Sequence, residues 1–102
     1  MFEINGEKWF IKFIRPRSDI FLMENGEYTI GTCDDSTKTI YLDTTLKGKM
    51  LKKVLCHEIV HSAMFSYDVQ LNYEQEELLA NIIATYGEEI INITNKIFKK
   101  LQ

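Results

Sequence analysis

An α+β fold, a small and mostly antiparallel sheet followed by two helices, is predicted by a change of pattern along the chain. Up to Asp43, short β-branched and aromatic runs are separated by turn pairs such as Asn5-Gly6 and Asn25-Gly26. Beyond it, apolar residues recur at three- and four-residue steps with capping residues ahead of them, the signature of helices. A chain of 102 residues suits one domain spanning 1–102, because domains usually hold about 50–250 residues.

Phe2 to Ile4 and Lys8 to Ile14 read as strands joined by Asn5-Gly6, since both turn residues tolerate the positive φ of a tight hairpin. Arg15-Pro16-Arg17-Ser18-Asp19 ends the run, and Ile20 to Met23 reads as a further short strand. Asn25-Gly26 turns the chain into a strand over Tyr28 to Cys33, and Asp34-Asp35-Ser36 turns it again into Thr39 to Leu42. The expected sheet has three to five strands, with Trp9, Phe10 and Phe13 as its core aromatics. Asp43, Thr44 and Thr45 are placed to cap a helix from Leu46 or Lys49 to Phe65, which Ser66-Tyr67-Asp68 interrupts. Asn72 followed by Gln75 is a capping-box pattern opening a second helix from Tyr73 to Tyr86, with continuation to Lys100 left open by Gly87.

Composition narrows the class. The chain is 45% apolar with a net charge of −3, enough to bury a core and too acidic for a sequence-independent nucleic-acid surface. No apolar run reaches the roughly 18 residues of a membrane span, and the first ten residues lack a signal-peptide pattern, so a cytoplasmic protein is expected. Cys33 and Cys56 are too few for a disulfide framework, and two free thiols are favoured over a bridge between them.

The chemistry concentrates in His57-Glu58-Ile59-Val60-His61. The chain's two histidines stand four residues apart, so on a helix both imidazoles leave one face and can reach one ion. Glu58 follows about 100° around the helix, beside such an ion rather than on it, where a general base belongs. Val54, Leu55, Cys56, Ile59, Val60, Ala63 and Met64 make this helix apolar nearly all round, so burial on most sides is expected. Imidazoles and a carboxylate in such surroundings need partners, and zinc supplies them.

Catalytic zinc takes three protein ligands and keeps a fourth position for water. No third histidine exists; Met64 and Tyr67 occupy the Gly and His positions of the longer HExxHxxGxxH pattern. Cys56 points away from His57, so the third ligand is sought on the second helix, among Glu74, Glu76 and Glu77. Leu78, Leu79, Ile82, Ile83, Tyr86 and Ile90 define a bulky face there, with Glu77 opposite, beside Ala80, Asn81 and Ala84. That pattern by itself solvates Glu77, yet small residues also let another helix approach. The residues alone leave Glu77 and Glu76 level, with Glu74 behind.

The order of small sheet, HExxH helix and a second helix reading Glu77-Leu78-Leu79-Ala80-Asn81-Ile82-Ile83-Ala84 resembles the gluzincin-type metallopeptidases of the ImmA/IrrE group, in particular the small phage and prophage members. The likeness covers roughly residues 28 to 90. It implies a zincin-like fold, one zinc held by His57, His61 and Glu77, and Glu58 as general base. It also implies peptide-bond hydrolysis on a protein partner, with a phage repressor as the substrate such relatives suggest.

On that reading Glu58 takes a proton from water and later delivers it to the leaving amine, and an edge strand such as Tyr28 to Cys33 holds extended substrate. Tyr67, Tyr73 and Tyr86 are weighed as oxyanion donors without preference among them. Lys47, Lys49, Lys52 and Lys53 read as a solvated face, and Asp34 and Asp35 as turn residues rather than a calcium loop. The alternative is a non-enzymatic phage or prophage interaction protein with a structural or vestigial zinc site. A metal-dependent nuclease is disfavoured by the lack of a basic groove.

Overall fold

The computed structural model describes residues 1–102 and has the expected α+β plan. Four strands, β1 (Phe2–Ile4), β2 (Glu7–Ile14), β3 (Gly31–Asp34) and β4 (Thr39–Asp43), precede two helices, α1 (Gly48–Ser66) and α2 (Tyr73–Leu101). The sheet order is β1-β2-β4-β3. Two of its pairings are antiparallel, and β2 runs parallel to β4 with Ile11 opposite Ile40. No helix is long and apolar enough to cross a membrane.

The β1–β2 hairpin forms where Asn5 and Gly6 take φ of 50° and 75°, the left-handed values a two-residue turn requires. Between β2 and β3 the expected strand at Ile20 to Met23 is instead a single 3-10 turn, Asp19–Phe21. Phe21 is fully buried there, and only Leu22 pairs with Tyr28 across the Asn25-Gly26 turn. The next strand therefore starts at Gly31 rather than Tyr28. Asp34 closes the β3–β4 turn by accepting from the Ser36 amide and hydroxyl, at 2.9 and 2.7 Å, which holds its carboxyl below the usual range.

Helix α1 departs from expectation at its start, whereas α2 begins as expected. Asp43, Thr44 and Thr45 do not cap α1: the Asp43 carboxylate accepts from the Thr45 amide and hydroxyl, and the Thr44 amide donates to the Ile14 carbonyl, so these residues finish the sheet. The cap position falls on Lys47, with no side-chain bond. In α2 the Asn72/Gln75 capping box forms in both directions, and the helix passes Gly87 without interruption.

Trp9, Phe21, Ile40, Leu42, Val60 and Ala80 form the buried core. Trp9 behaves as expected, stacking on Phe65 and donating from its indole nitrogen to Ser66 Oγ at 2.8 Å. Phe10 and Phe13 do not join it: they are 45% and 52% exposed, Phe10 because alternation along β2 turns it to the opposite face from Trp9. Helix α1 is also less enclosed than its composition predicts. Its buried residues are Glu58, Val60, His61, Ser62 and Ser66, most of them polar, while Met50 and Phe65 are exposed.

Candidate metal centre

The polar burial in α1 gathers His61 and Glu58 in one part of the helix. One turn of helix carries His57 and His61 to the side that α2 approaches, and the step of one residue carries Glu58 towards β3. Gly31 makes that close approach possible. A Cβ at Gly31 would stand 2.7 Å from Val54 Cγ1 and 3.3 Å from Glu58 Oε2, so only glycine lets the strand lie against the carboxylate.

Helix α2 meets α1 through its small residues. Ala80 is fully buried, and Glu77 Oε1 reaches His61 Nε2 at 2.7 Å and His57 Nε2 at 3.3 Å. The two Nε2 atoms lie 3.2 Å apart. One donor atom from each of His57, His61 and Glu77 thus converges on a single point, all within 4.8 Å of one another. Of the glutamates weighed from sequence, Glu77 is the one in this group. Glu76 takes a different place, with Oε2 2.8 Å from His61 Nδ1, and Glu74 is exposed outside the cluster.

The donor set suits a metal ion. Two imidazole nitrogens facing each other at 3.2 Å direct lone pairs at one another unless a proton or cation lies between them. Zinc–nitrogen bonds of about 2.0–2.1 Å in a tetrahedron place donors about 3.3–3.4 Å apart. Two of the three separations already match, and the shortest opens by about 0.6 Å on the same reference. With Nε2 on an ion, His61 Nδ1 would carry the proton and donate to Glu76, which would fix both tautomer and ring orientation.

Comparison with known proteins identifies no relative: no family model, curated protein or solved structure matches this chain. The chemistry of the site therefore rests on its geometry.

Glu58 is 6% exposed, and burial raises its carboxyl above the ordinary range, with the two histidines pulling it down and Glu77 pushing it up. It borders a cleft of about 380 Å³ that is also lined by Cys33, Phe65, Tyr73, His57, His61 and Glu77. A second hollow of about 280 Å³, lined by Met50, Val54 and Ala84, shares Gly31, His57, Glu58 and Glu77 with the first. The candidate centre thus lies where two hollows meet, open on both sides. Edge strand β3 borders both.

Of the tyrosines weighed from sequence, Tyr73 lines the cleft; Tyr67 and Tyr86 are exposed outside it. Cys33 and Cys56 are free. Burial, then the charge of Glu58, pushes the Cys33 thiol up, so it faces the cleft as a neutral group. Gly31 and Cys33 lie on the strand expected to hold substrate, but neither they nor Met23 were singled out from sequence; β3 brings the first two to the cleft and the segment after the 3-10 turn brings Met23.

Proposed function

We propose that the chain is a zinc-dependent endopeptidase in which His57, His61 and Glu77 hold the metal and Glu58 is general base and then acid. The observation that carries this reading is the buried Glu58 carboxylate beside three convergent donors, on an open cleft. A purely structural metal site needs no such group and leaves no face open to solvent.

Two imidazoles and one carboxylate favour zinc over the hard cations, which prefer oxygen. When bound, zinc supplies a Lewis acid that polarises a carbonyl and brings the pKa of water towards about 7. Glu58 accepts the proton of the attacking water and passes it to the amine as the C–N bond breaks. Glu76 holds the His61 ring by its far nitrogen. The free edge of β3, running beside Glu58, offers main-chain amides and carbonyls to an extended polypeptide.

This reading keeps the resemblance to the small phage and prophage metallopeptidases of the ImmA/IrrE group, and with it a cytoplasmic protein partner, such as a phage repressor, as substrate. Elemental analysis of the purified chain should return about one zinc per chain. X-ray absorption of the loaded protein should give nitrogen and oxygen ligands only, one of them from solvent. A sulfur ligand, or four ligands all from protein, would instead support a closed structural site and overturn the enzymatic reading.

A further inference from the structure

The outer face of α2 carries a seven-residue repeat that the fold leaves largely uncovered from Ile83 onward. Leu79, Tyr86 and Ile93 recur at steps of seven, and Ile83, Ile90 and Ile97 recur at steps of seven between them. Alternating steps of three and four keep this set in one stripe, the pattern of a helix that pairs with another. Glu77 and Glu88 mark the side turned to α1, through His57 and Lys52, and the stripe lies on the other side. Ile83, Tyr86, Ile90, Ile93 and Ile97 are between 37% and 56% exposed. A contiguous apolar patch of this size is unusual on a monomer.

We propose that a second copy of this chain docks on the stripe with its α2 antiparallel. The charges beside the stripe select that partner and direction. Glu89 and Lys96 flank it on one side, whereas Gly87, Thr94 and Leu101 flank it on the other. In a parallel pair Glu89 faces the uncharged flank of the second helix, and Lys100, which continues the Leu79 series, faces its own copy. In an antiparallel pair with Ile90 opposite Ile93 of the second copy, Ile97 meets Tyr86 and Lys100 meets Ile83. Glu89 then lies beside Lys96 of the second copy, and the two-fold axis repeats the pair. A surface complementary to itself is what an isologous dimer requires.

The stripe from Ile83 to Ile97 is about 21 Å long. Pairing it buries on the order of 600 Å² per copy, close to the lower bound of roughly 1,200 Å² in total for a specific interface. Helix α1 and the sheet lie on the far side of α2, so the clefts stay open, and the dimer is independent of what they do.

Sedimentation velocity of the full chain between about 1 and 100 µM should give a monomer–dimer equilibrium, the range such an interface implies. Ile90→Glu with Ile97→Glu should leave a monomer with the same helical circular dichroism, because both positions are exposed in the single chain. Glu89→Lys should weaken the dimer about tenfold, and adding Lys96→Glu should restore it, since the two residues are too far apart on one helix to pair with each other. A monomer at every concentration, a dimer indifferent to the isoleucine changes, or a charge swap without rescue would each overturn the proposal.

Discussion

His61 uses both of its ring nitrogens, and the two contacts make different predictions. Its Nε2 shares the convergence point with Glu77, and its Nδ1 meets Glu76. Glu77→Ala removes a proposed ligand and should abolish tight zinc binding in a competition titration with a chromophoric chelator. Glu76→Gln keeps the ring in place through a weaker acceptor and should lower affinity by about 10–100-fold. Equal losses in the two variants would make the ligand assignment wrong. Glu58→Gln should retain zinc while turnover of a cleaved partner falls by roughly 10²–10⁴-fold; loss of the metal with the activity would make Glu58 a ligand. The histidine pair and Glu58 were legible in sequence because their relation is local to one helix. Glu76 and Glu77 were not separable, since adjacent residues differ by about 100° and only the packing against α1 says which one reaches both histidines.

At the scale of elements, the inverted face of α2 shows where pattern reading fails. Bulky residues usually mark the buried side of a helix, but here Ala80 is buried and the isoleucine stripe is exposed. Close approach of α1 is what Glu77 requires to reach two histidines, and only small side chains permit it. The capping box of α2, by contrast, needs nothing beyond local sequence. Asn72→Ala should cost about 1 kcal/mol by chemical denaturation, without moving zinc affinity, because the cap lies before the glutamates. Strand β3 depends on a tolerance no periodicity records. Gly31→Ala places a methyl group 2.7 Å from Val54 Cγ1 and should cost about 1–3 kcal/mol as the strand and α1 are pushed apart. An unchanged denaturation midpoint would show that β3 can withdraw freely from the helix, and the close approach to Glu58 would then lose its structural reason.

For the whole molecule, the candidate centre joins parts that otherwise share little. The sheet rests on α1 through the Trp9–Ser66 bond and the Gly31 approach, whereas α2 meets α1 chiefly along the row of Glu77, Ala80 and Glu88, where the latter pairs with Lys52 at 2.7 Å on the surface. A metal held by His57 and His61 of α1 and Glu77 of α2 would therefore tie the second helix to the rest. An ion that binds the folded chain alone stabilises it by mass action, by about 4 kcal/mol at a thousandfold excess over its dissociation constant. For a domain of this size each kcal/mol moves the melting temperature by roughly 4–8 °C. Chelation should thus lower the melting temperature by more than about 10 °C, and added zinc should restore it. Glu77→Ala should melt near the chelated protein whether or not zinc is present, because the bridge between helices is gone. If chelation leaves the wild-type transition in place, the metal does not join the two helices and the convergence of the three side chains has another cause.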